Sequence, residues 1–152
     1  MNNSTLTDPQ ASLQAILDSA TNEYHCFLEA SDRVTTPMLG QFCQNVARQR
    51  LFFGRKLQAL LRSVGIDLKS SASVNELADQ LIVVGSQRSS SDEPIVRRFI
   101  EMQEENLNSL NYLLENVSFP TALTDLLENH RDLMRSQLSY LNQLNFSIAL
   151  AA

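Results

Sequence analysis

Chemistry in a protein needs side chains that exchange protons, ligate metals or attack electrophiles, and this chain holds few of them in working arrangements. Its histidines are His25 and His130 and its cysteines are Cys26 and Cys43. A carboxylate-bridged metal pair in a helical protein draws an inward carboxylate from each helix and a Glu-x-x-His from two of them. The carboxylates balance the ionic charge and the imidazoles complete the coordination. No Glu-x-x-His occurs in this sequence. His25 stands four residues before Glu29, the spacing of a surface contact on one helix. Glu128 is two residues from His130, a separation that turns side chains about 200° apart and prevents both from reaching one ion. Glu101, Glu104 and Glu105 form an acidic run whose plainest reading is a solvated face. A phosphate-binding glycine loop, a Cys-x-x-Cys and a Gly-x-Ser-x-Gly are all missing, so no nucleophile has a recognisable base beside it.

A second set of residues is more informative. Tyr24, Gln49, Gln103, Asn106, His130 and Gln137 each interrupt an apolar stripe. They are a phenol, amides and an imidazole, which can satisfy one another as donors and acceptors. The expectation is a neutral polar layer inside the fold, at the level where a metal protein would place carboxylates, which avoids burying an unpaired charge. The competing reading places individual members at the edge of the stripe, in reach of water.

The elements that would carry these residues are helices. Pro37 to Gly65 reads as one amphipathic helix, with Thr36 as its cap, Pro37 in its first turn and Gly65 as its stop. Leu39, Phe42, Cys43, Val46, Phe53, Leu57, Leu60, Leu61 and Val64 recur at the helical period, and Gln49 and Arg50 fall where the next apolar residue belongs. Asp8 and Pro9 open an earlier helix that runs to Ser31, its inner face carrying Leu13, Ile16, Leu17, Ala20, Phe27 and Ala30. A third runs from Pro94 to Asn116 and a fourth follows the corner Ser118–Phe119–Pro120. The two short turns predict helical hairpins. Residues 66–93 form the long link between them, in which Ser73 and Glu76 suggest a capping box for a short helix to Val84. The fold class expected is therefore all-α: an antiparallel four-helix bundle, a single domain over 1–152 with a flexible 1–7, and a long crossover between the second and third helices. One such crossover is the ferritin-like connectivity.

Composition narrows the function classes. With 152 residues, 43% of them apolar, the chain can bury a core. A formal charge of −5 argues against general nucleic-acid binding, which draws its affinity from basic surface. The first ten residues lack the basic and apolar regions of a signal peptide, and apolar runs such as Leu81 to Val84 are too short to span a bilayer. A cytoplasmic location is expected, with Cys26 and Cys43 as small core residues in a reducing compartment. Arg48, Arg50, Arg55, Lys56 and Arg62 read as a solvated basic flank of the second helix.

The segments NEYHCFLEAS and ARQRLFFGRKLQALLRSVG resemble the first hairpin of an uncharacterised bacterial family of ferritin-like proteins. Phe27 and Ala30 carry the first match; Arg50, Phe53, Leu57, Gln58 and Gly65 carry the second, and Glu105 and Tyr112 fit on the third helix. The resemblance implies a fold more than an activity. Its departures concern chemistry: Tyr24 and Gln49 stand where the family places glutamates, and Leu138 where a late histidine is expected.

The function expected is a non-enzymatic bundle, with no cofactor and no metal, that acts by self-association or by binding a protein partner. Leu51 and Phe52 lie off the main stripe, and Phe146, Ile148 and Leu150 extend beyond the fourth helix, which predicts a homodimer. The alternatives are a divergent iron or manganese oxidase or storage protein built on His25, Glu29, His130 and Glu105, and a small-ligand sensor beside the polar layer.

Overall fold

The computed structural model describes residues 8–69 and 91–151, and these are helical with short connections. The helices are α1 (Pro9–Ser31), α2 (Pro37–Arg62), α3 (Glu93–Asn116) and α4 (Thr121–Ala151). The fold is all-α. The suggested capping box and short helix within 66–93 lie outside the described residues, as does 1–7.

The helix ends are set by local chemistry that only partly matches the sequence reading. Asp8 caps α1 by accepting from the Ala11 amide at 3.2 Å. Thr36 occupies the N-cap of α2, but its side chain makes no capping bond there. Its hydroxyl instead donates to Asp92 Oδ2 at 2.7 Å, and its amide donates to the same oxygen at 3.0 Å. Thr35 binds the other oxygen of Asp92 through its amide, at 2.8 Å, and its hydroxyl, at 3.2 Å. One buried carboxylate thus ties the start of α3 to the turn between α1 and α2. Helix α2 ends at Arg62, three residues short of Gly65. The chain then closes with Gly65 at φ +85° and an Ile66 N–H to Leu61 O bond of 2.9 Å, the left-handed stop that glycine allows at least strain. Helix α4 simply continues through the apolar tail to Ala151.

Two apolar cores fill the interior. The first takes Cys26, Phe27 and Ala30 from late α1, Leu39, Cys43, Val46 and Ala47 from early α2, Ile95, Val96, Phe99 and Met102 from early α3, and Leu141 from α4. Phe27 and Phe99 stack at its centre, with ring centroids 3.9 Å apart. The second is mostly leucine: Leu13 and Leu17 with Ala20 from α1, Phe53, Leu57 and Leu61 from α2, Leu107 and Leu110 from α3, and Leu123, Leu127 and Met134 from α4. Leu68, beyond α2, also packs there. The next residue, Lys69, exchanges two backbone hydrogen bonds with the Gln14 side chain, at 2.6 and 3.1 Å. No helix among the described residues is long and apolar enough to cross a membrane.

Candidate functional site: a charged layer between two cores

Every helix passes from one core to the other through a polar residue. On α1, Glu23 falls between Ala20 of the second core and Cys26 of the first. On α2, Arg50 falls between Ala47 and Phe53, on α3 Gln103 between Met102 and Leu107, and on α4 Gln137 between Met134 and Leu141. Helical periodicity puts each of these four on the same inward face as its apolar neighbours. All are buried, with Glu23 and Arg50 at 1% exposure and Gln103 at 0%.

Arg50 Nε donates to Glu23 Oε1 at 2.6 Å, with both side chains out of water. Arg50 Nη2 donates to Gln137 Oε1 at 2.7 Å. The Gln103 amide bridges the ion pair: its Nε2 donates to Glu23 Oε2 at 3.0 Å and its Oε1 accepts from Arg50 Nη2 at 2.8 Å. That is the amide orientation that satisfies both charged neighbours. Asn106 Nδ2 donates to Glu23 Oε2 at 2.9 Å, and Gln137 passes the network outward by donating from Nε2 to Gln49 Oε1. Both carboxylate oxygens are engaged. Arg50 Nη1 is the one buried side-chain polar atom without a hydrogen-bond partner among the described residues.

The structure therefore brings Gln49, Gln103, Asn106 and Gln137 together, as their types suggested, but around a centre that was not in the expected set. The layer is charged where a neutral one was expected. Glu23 and Arg50 form its heart, and Arg50 is not part of the solvated basic flank, whose other members Arg48, Arg55, Lys56 and Arg62 are exposed. Tyr24 lies one residue from the carboxylate and is half-buried at the rim of the first core, its ring edge-on to His25 with centroids 5.0 Å apart. Glu105 and Tyr112 sit on the exposed side of α3, and Leu138 packs against the second core.

His130 joins by stacking. Its ring lies on Phe53 at 3.7 Å between centroids and 5° between planes. Burial pushes its pKa well below the ordinary histidine range, and the positive charge of Arg50 pushes it further the same way. At neutral pH it is an uncharged aromatic disc. The two cysteines are free and fully buried in the first core. Burial raises both thiols to about 12, with Glu23 adding to the rise at Cys26 and Asp92 at Cys43, so neither offers a thiolate at neutral pH.

This donor set does not suit a pair of metal ions. It has one carboxylate, and that carboxylate faces a guanidinium whose fixed charge would oppose a divalent cation at the same place. Among the described residues, no three His, Cys, Asp or Glu side chains converge. No family model, curated protein or solved structure matches the chain.

Proposed function

We propose that this chain is a non-enzymatic, ferritin-like helical bundle whose interior is closed by its own charge-compensated layer and which acts through its surface, by pairing with a second copy of itself. The observation that carries this reading is the buried Glu23–Arg50 pair with Gln103 and Gln137 around it. It occupies the level at which a bundle of this kind would perform metal chemistry. The connectivity is supported by the cores: the starts of α2 and α3 share the first core and the end of α2 lies in the second. Lys69 stands beside early α1 and Asp92 beside the α1–α2 turn, so residues 69 and 92 stand at opposite ends. These placements support up-down-down-up helices joined by one long crossover.

The pairing surface is the outer side of late α4. From Ser136 to Ala151 that helix carries no charged residue, and Phe146 and Leu150 are 65% and 72% exposed. Ile148 is already engaged with the first core and Leu51 is half-buried, while Phe52 on α2 stays 56% exposed; the pairing surface is the part of the surplus centred on Phe146. A two-fold contact along α4 covers it.

Light scattering at micromolar concentration tests this. The expected particle is about 34 kDa, twice the 17.1 kDa of one chain. Phe146→Glu should return it to a single chain without loss of helicity. A single-chain particle for the unaltered protein removes the proposal. Near-stoichiometric iron or manganese that is lost in Glu23→Gln and retained in a surface control would replace it with the oxidase reading.

A further inference from the structure

The Arg50 guanidinium is held as a bound ligand is held. It reaches the layer from α2, but the oxygens around it come from the other three helices. Glu23 Oε1 of α1 is 2.6 Å from Nε, and Gln137 Oε1 of α4 and Gln103 Oε1 of α3 are 2.7 and 2.8 Å from Nη2. The acceptors gather at two nitrogens of the planar cation, one at Nε and two at Nη2, and Nη1 makes no bond. One acceptor carries the compensating charge and the other two are neutral amides. Each is fixed by a further bond: Gln103 by Glu23, Gln137 by Gln49, and Glu23 by Asn106. A preorganised set of this sort, with acceptors placed for two separate nitrogens of one cation, selects a planar guanidinium, where a compact ammonium or a sphere would leave acceptors unmatched.

We propose that Glu23, Gln103 and Gln137 form a guanidinium-binding site which the chain fills with its own Arg50, and that a chain lacking this side chain takes up a free guanidinium-class cation in its place. N-methylguanidinium is the best-fitting small member of the class, because its methyl group stands where the Arg50 side-chain stem enters at Nε. Burial strengthens the charge-assisted bonds to Glu23, and leaving that carboxylate unpaired in the interior is strongly unfavourable, which drives uptake.

The test is the full chain with Arg50→Ala, titrated with N-methylguanidinium chloride over about 1–20 mM, the range expected for a few charge-assisted bonds and far below denaturing concentrations. Urea, the neutral planar analogue, and sodium chloride at matched ionic strength are the controls. The expected result is a saturable rise in melting temperature of several degrees with the cation alone. Apparent affinity should drop about tenfold or more when Glu23→Gln is added, the loss of one charged acceptor. The unaltered chain, its site filled, should show no saturable response. Should Arg50→Ala be unfolded in buffer, the same titration reads the return of helical circular dichroism. An equal response to sodium chloride, an equal response in the double variant, or no saturable response in Arg50→Ala overturns the proposal.

Discussion

The first apolar core and the polar layer beside it are built from the same four helices, yet they hold those helices in different ways. In the core, Phe27, Leu39, Val96 and Leu141 are wholly out of water and fit by shape. Such contacts are non-directional, and each fully buried side chain of this kind contributes about 1.5–3 kcal/mol relative to exposure. In the layer the contacts are directional. The core tolerates a neighbour of similar volume; the layer accepts one arrangement. Among the described residues, Glu23–Arg50 is the layer bond that joins α1 to α2. The other layer bonds cross from α1 or α2 to α3 or α4: Glu23 to Gln103 and Asn106, Arg50 to Gln103 and Gln137, Gln49 to Gln137. The two cores supply the apolar burial, and the layer's directional bonds tie the two helix pairs together. In other helical assemblies buried polar groups of this kind fix register, a role that substitutions at Glu23 and Arg50 test here.

The sharpest way to break this comparison is to damage the layer on one side only. Arg50→Met leaves Glu23 charged and unpaired in the interior and should lower unfolding stability by about 3–5 kcal/mol in urea titration. Replacing both partners, Glu23→Leu with Arg50→Met, should recover most of that loss. The double variant should also show poorer dispersion of amide resonances than the unaltered chain, because apolar packing alone no longer selects one register. A double variant with full dispersion would assign the register to the cores instead. In the second core, Leu57→Ala should lower stability by about 2–5 kcal/mol, and no second substitution on another helix should restore it as the Arg50 partner change does.

How much of this could be read beforehand depends on helical phase. The beat between Ala20 and Phe27 is shared by residues 23 and 24, and that between Val46 and Phe53 by residues 49 and 50. Tyr24 and Gln49 are the uncharged members of these pairs, and a charge at either place is unfavourable when each helix is considered alone. Glu23 and Arg50 compensate each other only once α1 and α2 are placed together, and a pair 27 positions apart leaves no local signal. The usable clue is that Glu23 and Arg50 carry opposite charges at matching beats of neighbouring helices. On α4 the beat between Met134 and Leu141 is shared by Gln137 and Leu138, with no charged rival, and on α3 the charged neighbour of buried Gln103, Glu104, is exposed. The Asp92 tether was hidden for the same reason as the ion pair: Asp92 and Thr36 both look like ordinary caps, and the bonds they form run to each other across 56 residues.

Acid separates the layer from the α3 tether. His130 is buried neutral with its pKa lowered, while in the unfolded chain it takes a proton near pH 6.5. The unfolded state therefore binds more protons below that value, and stability should fall as pH drops from about 6.5 toward the folded pKa, by at most about 1.4 kcal/mol per pH unit. His130→Phe, which keeps a ring on Phe53, should flatten this limb. Burial alone would raise the Asp92 carboxyl, but the four bonds from Thr35 and Thr36 outweigh it and hold the group below the usual aspartate range. Its contribution is present above the unfolded aspartate pKa and is lost as pH falls through the folded one, so Asp92→Asn should alter only the more acidic limb. The two limbs separate in urea titrations repeated across pH.

The smallest effect should come at the outer end of the network. Gln49 is exposed, and its side-chain oxygen accepts from Gln137 Nε2. In Gln49→Ala, water can reach the freed donor, so the loss should be about 1 kcal/mol or less, the net worth of an ordinary hydrogen bond. The informative variant is Gln137→Leu. It removes the Arg50 Nη2 acceptor at 2.7 Å from a residue with 7% exposure, where water cannot substitute, and so strips one of the three oxygens from a buried cation. Urea titration of the pair should show Gln137→Leu losing at least twice as much as Gln49→Ala, although leucine adds apolar burial. Equal losses would mean that the outward bond matters as much as the inward one. The layer would then be an extended surface-to-core network, and Arg50 would lose its place as the centre.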